Sequence, residues 1–342
     1  MEVKRIDLRE NGKANLTAYL HSESEEIKTV TKRPAVLILP GGAYYMCSDR
    51  EAEPVAFCYL RAGYQVFILR YTVGIGTVWP EPLEDYELAM KYIRSNADLW
   101  KIYPERIAVI GFSAGGHLAA CAAAMGENRP DAAILGYPVI NKKCVGMFLS
   151  NAPDAAAAVD DKTCPCFVFA GCNDTAVPVQ NALEMVTALA KHDITFESHI
   201  YAYASHGFSV CTSELGIGSE QVCSRTPHWI DDSIEWLKDI FGDFGETGMT
   251  EPGCGRRING NHEPYYNLDC TINFLMQDGQ VKQLLDPYFK PFLNAMHTEE
   301  IPAPFAGLKL REMLASMQMP PESVKNIEAS LKTILKERGN MS

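Results

Sequence analysis

Three residue types that together perform acyl transfer, a serine, an aspartate and a histidine, each lie just past the end of an expected strand in this chain. Ser113 lies in Arg106-Ile-Ala-Val-Ile-Gly-Phe-Ser-Ala-Gly-Gly-His-Leu-Ala-Ala120, a short strand pattern entering G-x-S-x-G and then a small-residue helix pattern. Gly111 and Gly115 leave room for a sharp turn that strains and exposes the serine hydroxyl, whereas a plain Gly-rich strand-helix connection is the bland alternative. The first turn of the helix beginning at Ala114 has N–H groups without intrahelical partners, so negative charge developing beside Ser113 meets donors and a helix dipole. Asp174 lies in Gly171-Cys-Asn-Asp-Thr-Ala-Val-Pro178 and His206 in Ala204-Ser-His-Gly-Phe208. Taken singly, Asp174 reads equally well as a helix cap and His206 as a surface loop residue. Together with Ser113, each at a separate strand end, they supply a nucleophile, a base and a carboxylate that orients the base.

The elements that must position them alternate along the chain. Residues 3–8 and 16–21 read as an opening antiparallel pair around Glu-Asn-Gly-Lys. Strands are then expected at 35–40, 65–71, 106–111, 132–137, 165–171 and 195–202. Helices are expected near 51–62, 83–97, 114–125, 178–191 and 227–241. Such alternation predicts an α/β fold, a mostly parallel sheet with helices on both faces, whose functional loops lie at the carboxyl ends of the strands. One such loop, Pro40-Gly-Gly-Ala-Tyr-Tyr45, has glycines that let backbone approach a ligand; Gly42, Tyr44, Tyr45 and Tyr71 are candidates to contact substrate, the rings either stacking on a sugar or packing. His117, one turn past Ser113, and His228 read as structural.

The chain has 342 residues, 47% apolar and 22% charged, with a net charge of −12. No run of Lys and Arg offers a nucleic-acid or anionic-membrane surface, and no stretch reaches the roughly 18 apolar residues of a membrane span. The charged N-terminus lacks a signal-peptide core, so a cytoplasmic location is expected. Eleven cysteines, an odd number scattered through core elements, suit a reducing compartment, and the Cys164-Pro-Cys166 spacing is that of small buried hydrophobes rather than a zinc site.

Pro40-Gly-Gly-Ala-Tyr, Arg50-Glu-Ala-Glu-Pro-Val-Ala56, Gly63-Tyr-Gln-Val-Phe-Ile-Leu-Arg-Tyr71, Gly111-Phe-Ser-Ala-Gly-Gly-His-Leu-Ala119, Asn173-Asp-Thr-Ala-Val-Pro-Val179 and Ser205-His-Gly-Phe208 resemble the α/β-hydrolase carbohydrate esterases, the acetyl-xylan and feruloyl esterase-like branch, over about residues 30–241. The resemblance implies Ser113 as nucleophile, Asp174 as orienting acid, His206 as base, and the Ala43 and Ala114 N–H groups as oxyanion donors. It implies a serine esterase that needs no metal or cofactor and removes short acyl groups, most often acetyl, from small-molecule or oligosaccharide esters such as xylo- or manno-oligosaccharides. The same three residues would also serve a peptidase or lactone hydrolase, and hydrolase folds that only bind exist. Two departures stand out: Gly-Gly-Ala replaces a third glycine in the oxyanion stretch, and the segment between Pro138 and Thr163 is short and Ala-rich, which predicts an open acyl site.

After Gly242 a Gly-rich stretch marks a boundary, giving a catalytic domain at 1–244, a linker at 245–265 and a small all-α domain at 266–342. In the last, Ile272, Leu275 and Met276, then Val281, Leu284, Leu285 and Tyr288, then Leu310, Met313 and Leu314, and finally Val324, Ile327, Leu331, Ile334 and Leu335 recur at helical spacing. Its His297 and Asp286 read as surface residues. The domain is expected to dock on hydrolase domains and to promote homo-oligomerisation.

Overall fold

The computed structural model describes residues 1–334 apart from 11, 219, 262, 264 and 299. Leu335, the last residue of the helical pattern, and the remainder of the expected domain to 342 lie outside the described residues. The chain divides into two compact units, Met1–Arg256 and Arg257–Ser342.

In the first unit the strands are β1 (Glu2–Asp7), β2 (Asn15–Leu20), β3 (Arg33–Leu39), β4 (Gln65–Arg70), β5 (Ile102–Phe112), β6 (Ala132–Gly136), β7 (Cys166–Gly171) and β8 (Phe196–Tyr201). They form one sheet in the order β1-β2-β4-β3-β5-β6-β7-β8, with β1 and β2 antiparallel to each other, β2 antiparallel to β4, and every later pairing parallel. The helices are α1 (Glu53–Arg61), α2 (Glu81–Ser95), α3 (Ala114–Met125), α4 (Lys142–Val145), α5 (Gln180–Lys191) and α6 (Trp229–Phe241).

Successive strand residues point to opposite faces, and both faces are apolar. Leu37, Leu39, Phe67, Leu69, Val109, Leu135 and Val168 face one layer, which α2, α3 and α5 cover. Val36, Ile38, Val66, Ile68, Ile110, Ile134, Phe167 and Phe169 face the other, covered by α1 and α6. Trp229 of α6 stacks on Phe169 with ring centroids 4.4 Å apart, and each such fully buried large side chain contributes about 1.5–3 kcal/mol. In register, Leu39 lies beside Gly111, Phe112 beside Gly136 and Gly171 beside Tyr201, so the carboxyl ends of β3, β5, β6, β7 and β8 share one edge.

The strand expected at 106–111 starts earlier, at Ile102. A register shift between Arg33 and Ala35 lets the Tyr103-Pro104-Glu105 stretch bulge before Ile107 rejoins Ala35. The stretch expected as a linker is bonded to the first unit as far as Arg256. Strands β9 (Phe244–Gly245) and β10 (Gly248–Met249) make a hairpin, Gly253 and Cys254 donate to the Asp239 carbonyl, and Thr195 donates to the Arg256 carbonyl.

The second unit contains α7 (Ile272–Leu275), α8 (Gly279–Ala295), α9 (Ala303–Ala306), α10 (Leu310–Ser316) and α11 (Pro321–Leu331). Their apolar faces converge: Ile272, Leu275, Val281, Leu285, Leu310, Met313, Leu314, Ile327 and Leu331 bury one another together with Tyr266, Phe289 and Leu293. Asp278 caps α8 by accepting from the Gln280 and Val281 N–H groups, and its other oxygen accepts from the Tyr266 hydroxyl at 2.9 Å.

Candidate active site

Ser113 occupies the turn between β5 and α3 with φ 52° and ψ −117°, a strained conformation for a residue with a side chain. The surroundings hold it there: its N–H donates to the Gly136 carbonyl, and its carbonyl accepts from Val139 and His117. A side chain at either flanking glycine has no room. A Cβ on Gly111 would come within 2.1 Å of the Gly115 carbonyl oxygen, and one on Gly115 within 2.1 Å of the Leu39 carbonyl oxygen.

His206 reaches Ser113 from the loop after β8, its Nε2 2.9 Å from the Ser113 Oγ. Its Nδ1 lies 2.6 Å from Oδ2 of Asp174, which follows β7. An ionised carboxylate only accepts, so Nδ1 carries the proton and Nε2 is left to accept from the serine hydroxyl. The other Asp174 oxygen accepts from the Ala176 and Val177 N–H groups, both at 2.9 Å, which fixes the carboxylate before α5 begins at Gln180. Asp174 therefore closes its own loop and contacts the histidine at once, and it does not cap α5. A returning segment holds the His206 loop: Ser205 donates to the Gln221 carbonyl, Cys223 to the Tyr203 carbonyl, and Ala204 to Asn173 Oδ1.

The loop after β3 carries Gly42, Ala43 and Tyr44 at positive φ. Among the described residues, the Ala43 and Ala114 N–H groups have no hydrogen-bond acceptor. The expectation that Tyr44 and Tyr71 contact substrate is corrected by their burial, 2% and 1% exposed respectively. The Tyr71 hydroxyl donates to the Pro40 carbonyl at 2.6 Å, and the Tyr44 hydroxyl lies 2.7 Å from Nδ1 of His117, so both rings brace the loop from beneath. Tyr45, 60% exposed, is the one of the three open to a ligand.

His117 is a buried brace whose role needed the structure to be seen. Its Nε2 meets the Pro153 carbonyl at 3.0 Å, and since that carbonyl only accepts, Nδ1 is the unprotonated nitrogen that accepts from Tyr44. Burial pushes its pKa down to about 4. Pro153 belongs to the 138–163 segment, which packs inward through Val139, Ile140, Val145, Ala152 and Ala155, with Asn181 Oδ1 accepting from the Ile140 and Asn141 N–H groups. Among the described residues no group of three or more His, Cys, Asp or Glu side chains is placed to hold a metal ion. Cys164 and Cys166 are buried.

A parallel sheet of this order, with a strained serine between strand and helix at its carboxyl edge, defines the α/β-hydrolases. Residues 24–148 match the BD-FAE family. The chain is 39% identical to an α/β-hydrolase enzyme of known structure from a Medee basin deep-sea metagenome library, covering 98% of that protein and 70% of this one with a TM-score of 0.65. It is 32% identical to endo-1,4-beta-xylanase B of Butyrivibrio fibrisolvens and 26% identical to an acetylxylan esterase of Xylanibacter ruminicola, each over 60% of this chain. It spans 36% and 46% of the length of those two curated relatives. The chain belongs to the α/β-hydrolase family, and its likeness is to the carbohydrate esterases within it. No helix among the described residues is long and apolar enough to cross a membrane.

Proposed function

We propose that this chain is a serine carboxylesterase that removes short acyl groups, acetyl above all, from carbohydrate esters. The observation that carries the reading is the unbroken path from Ser113 Oγ through His206 to Asp174, with contacts of 2.9 and 2.6 Å. His206 Nε2 takes the hydroxyl proton as Ser113 Oγ attacks the ester carbonyl, and the Ala43 and Ala114 N–H groups receive the oxyanion. Collapse of the tetrahedral species expels the sugar alkoxide, which takes the proton back from His206, and leaves acyl-Ser113. Water, deprotonated by the same imidazole, then releases the carboxylic acid.

The sugar ester as substrate class is supported by the acetylxylan esterase and xylanase among the relatives. Tyr45, exposed on the loop that carries Ala43, offers a ring for a sugar face. Release of acetate and of ferulate from model esters and from acetylated xylo- and manno-oligosaccharides tests the reading. Acetate release from the oligosaccharides is expected, with nitrophenyl acetate turned over faster than the butyrate and far faster than the octanoate. A preference for long acyl chains would contradict it.

A further inference from the structure

Beneath the oxyanion loop lies a second carboxylate that the acyl-transfer steps leave unused. Glu51, in the turn before α1, is 4% exposed. Its Oε2 accepts from the Gly41 N–H at 2.7 Å and its Oε1 accepts from the Tyr137 hydroxyl at 2.7 Å. Gly41 is wedged between this carboxylate and the nucleophile: a Cβ placed on it would lie 2.7 Å from Glu51 Oε2 and 3.0 Å from the Ser113 Cβ. Tyr137 follows β6, is 1% exposed, and sets its ring edge-on to the His206 imidazole with centroids 5.1 Å apart.

The Tyr137 hydroxyl oxygen accepts in turn from the Ser209 N–H at 3.2 Å, three residues beyond His206. Ser209 is fixed on its other sides, its hydroxyl donating to the Arg50 carbonyl and its carbonyl accepting from Trp229 Nε1. One carboxylate therefore joins the loop of Gly41 to the loop of His206. The Gly41 N–H can only donate, and the Tyr137 hydroxyl has a proton to give Oε1, so each Glu51 oxygen faces a donor that favours the carboxylate.

Resting on the reading of Ser113 and His206 given above, we propose that Glu51 is a positioning residue: a buried anion that locks the oxyanion loop to the His206 loop and stabilises the imidazolium formed when Ser113 is deprotonated. Burial pushes the Glu51 pKa up, while Tyr137, the Gly41 N–H and the charges of His206 and Arg50 pull it down. The other groups facing the imidazole are Asp174, Ser113 and the Tyr137 ring. Tyr71 also feels the Glu51 charge.

The test is the pH profile of kcat/KM on nitrophenyl acetate for wild type, Glu51→Gln, Tyr137→Phe and Ser113→Ala, with rates counted per folded site. The acidic limb of such a profile reports protonation of the general base, and removing a nearby negative charge moves that limb to lower pH. Glu51→Gln should lower the plateau at least about tenfold, chiefly in kcat, and move the acidic limb to lower pH by roughly half a unit or more.

Tyr137→Phe takes away one of the carboxylate's two donors, so Glu51 is protonated at higher pH and the limb moves the same way by a smaller amount. It decides the matter should Glu51→Gln fail to fold. A lowered plateau with the limb unmoved in the folded variants would reduce Glu51 to a packing role and overturn the proposal. Full turnover by Ser113→Ala would instead overturn the serine esterase reading itself, so the two failures are distinguishable.

Discussion

At the scale of single residues, the acylating group was legible because its parts have few other reasons to occur together. A serine between glycines after an apolar strand, and an aspartate and a histidine each at a later strand end, narrow the chemistry by type and order. The bracing residues were not legible. Tyr44 and Tyr71 sit at strand ends, as ligand-binding aromatics do, and nothing in the sequence says that their hydroxyls turn inward to His117 and the Pro40 carbonyl. Glu51 is one acidic residue among several between 49 and 53, and only burial sets it apart. His117 carries a testable consequence at this scale. Its folded pKa of about 4 lies below the ordinary 6.5, so the unfolded chain binds the extra proton between those values and folding stability falls as pH drops through that window, by up to about 1.4 kcal/mol per unit. Urea unfolding at pH 7 and pH 4.5 should show this loss, and His117→Gln should show a smaller one. Equal losses in the two proteins would mean that His117 is not the group responsible.

At the scale of elements, period and punctuation placed nearly every strand and helix of the sheet to within a few residues, because the central strands β3, β4, β6 and β7 are short apolar runs bounded by Gly, Pro or polar residues and buried on both faces. The early start of β5 was missed, since Tyr103-Pro104-Glu105 reads as a loop and joins the strand only through the register shift against β3. The inward packing of 138–163 was not legible either: the short Ala-rich segment suggested only an open acyl site, whereas Val139, Ile140, Val145, Ala152 and Ala155 are buried and Asn181 of α5, distant in sequence, accepts from the Ile140 and Asn141 N–H groups. The closeness of α3 to β3 gives the prediction here. Gly115→Ala drives a methyl into the Leu39 and Pro40 carbonyls, at 2.1 and 2.5 Å, so the start of the oxyanion loop must shift. A loss of about 1–3 kcal/mol in stability is expected, with a fall in kcat larger than the change in KM. Unchanged stability and turnover would show that α3 has more clearance than this geometry allows.

At the scale of the whole molecule, the two units each hold an apolar core of their own. The helical periodicity after residue 266 was legible, and the apolar faces it marks pack on one another around Tyr266 and Phe289. The stretch at 245–265 read as a linker because glycine count says nothing of the bonds that join Gly253 and Cys254 to Asp239 and Arg256 to Thr195. A chain ending at Arg256 should therefore keep its turnover of nitrophenyl acetate, and one ending at Asp243 should melt lower than it does. Equal melting of the two would mean that the hairpin and its carbonyl contacts add nothing. For the intact chain, the most direct test of the central claim is mass spectrometry of the protein quenched during turnover of nitrophenyl acetate. One acetyl group should appear on the peptide bearing Ser113, and the Ser113→Ala protein should carry none and turn over no ester. An acetyl group on another residue, or undiminished turnover by Ser113→Ala, would contradict the account.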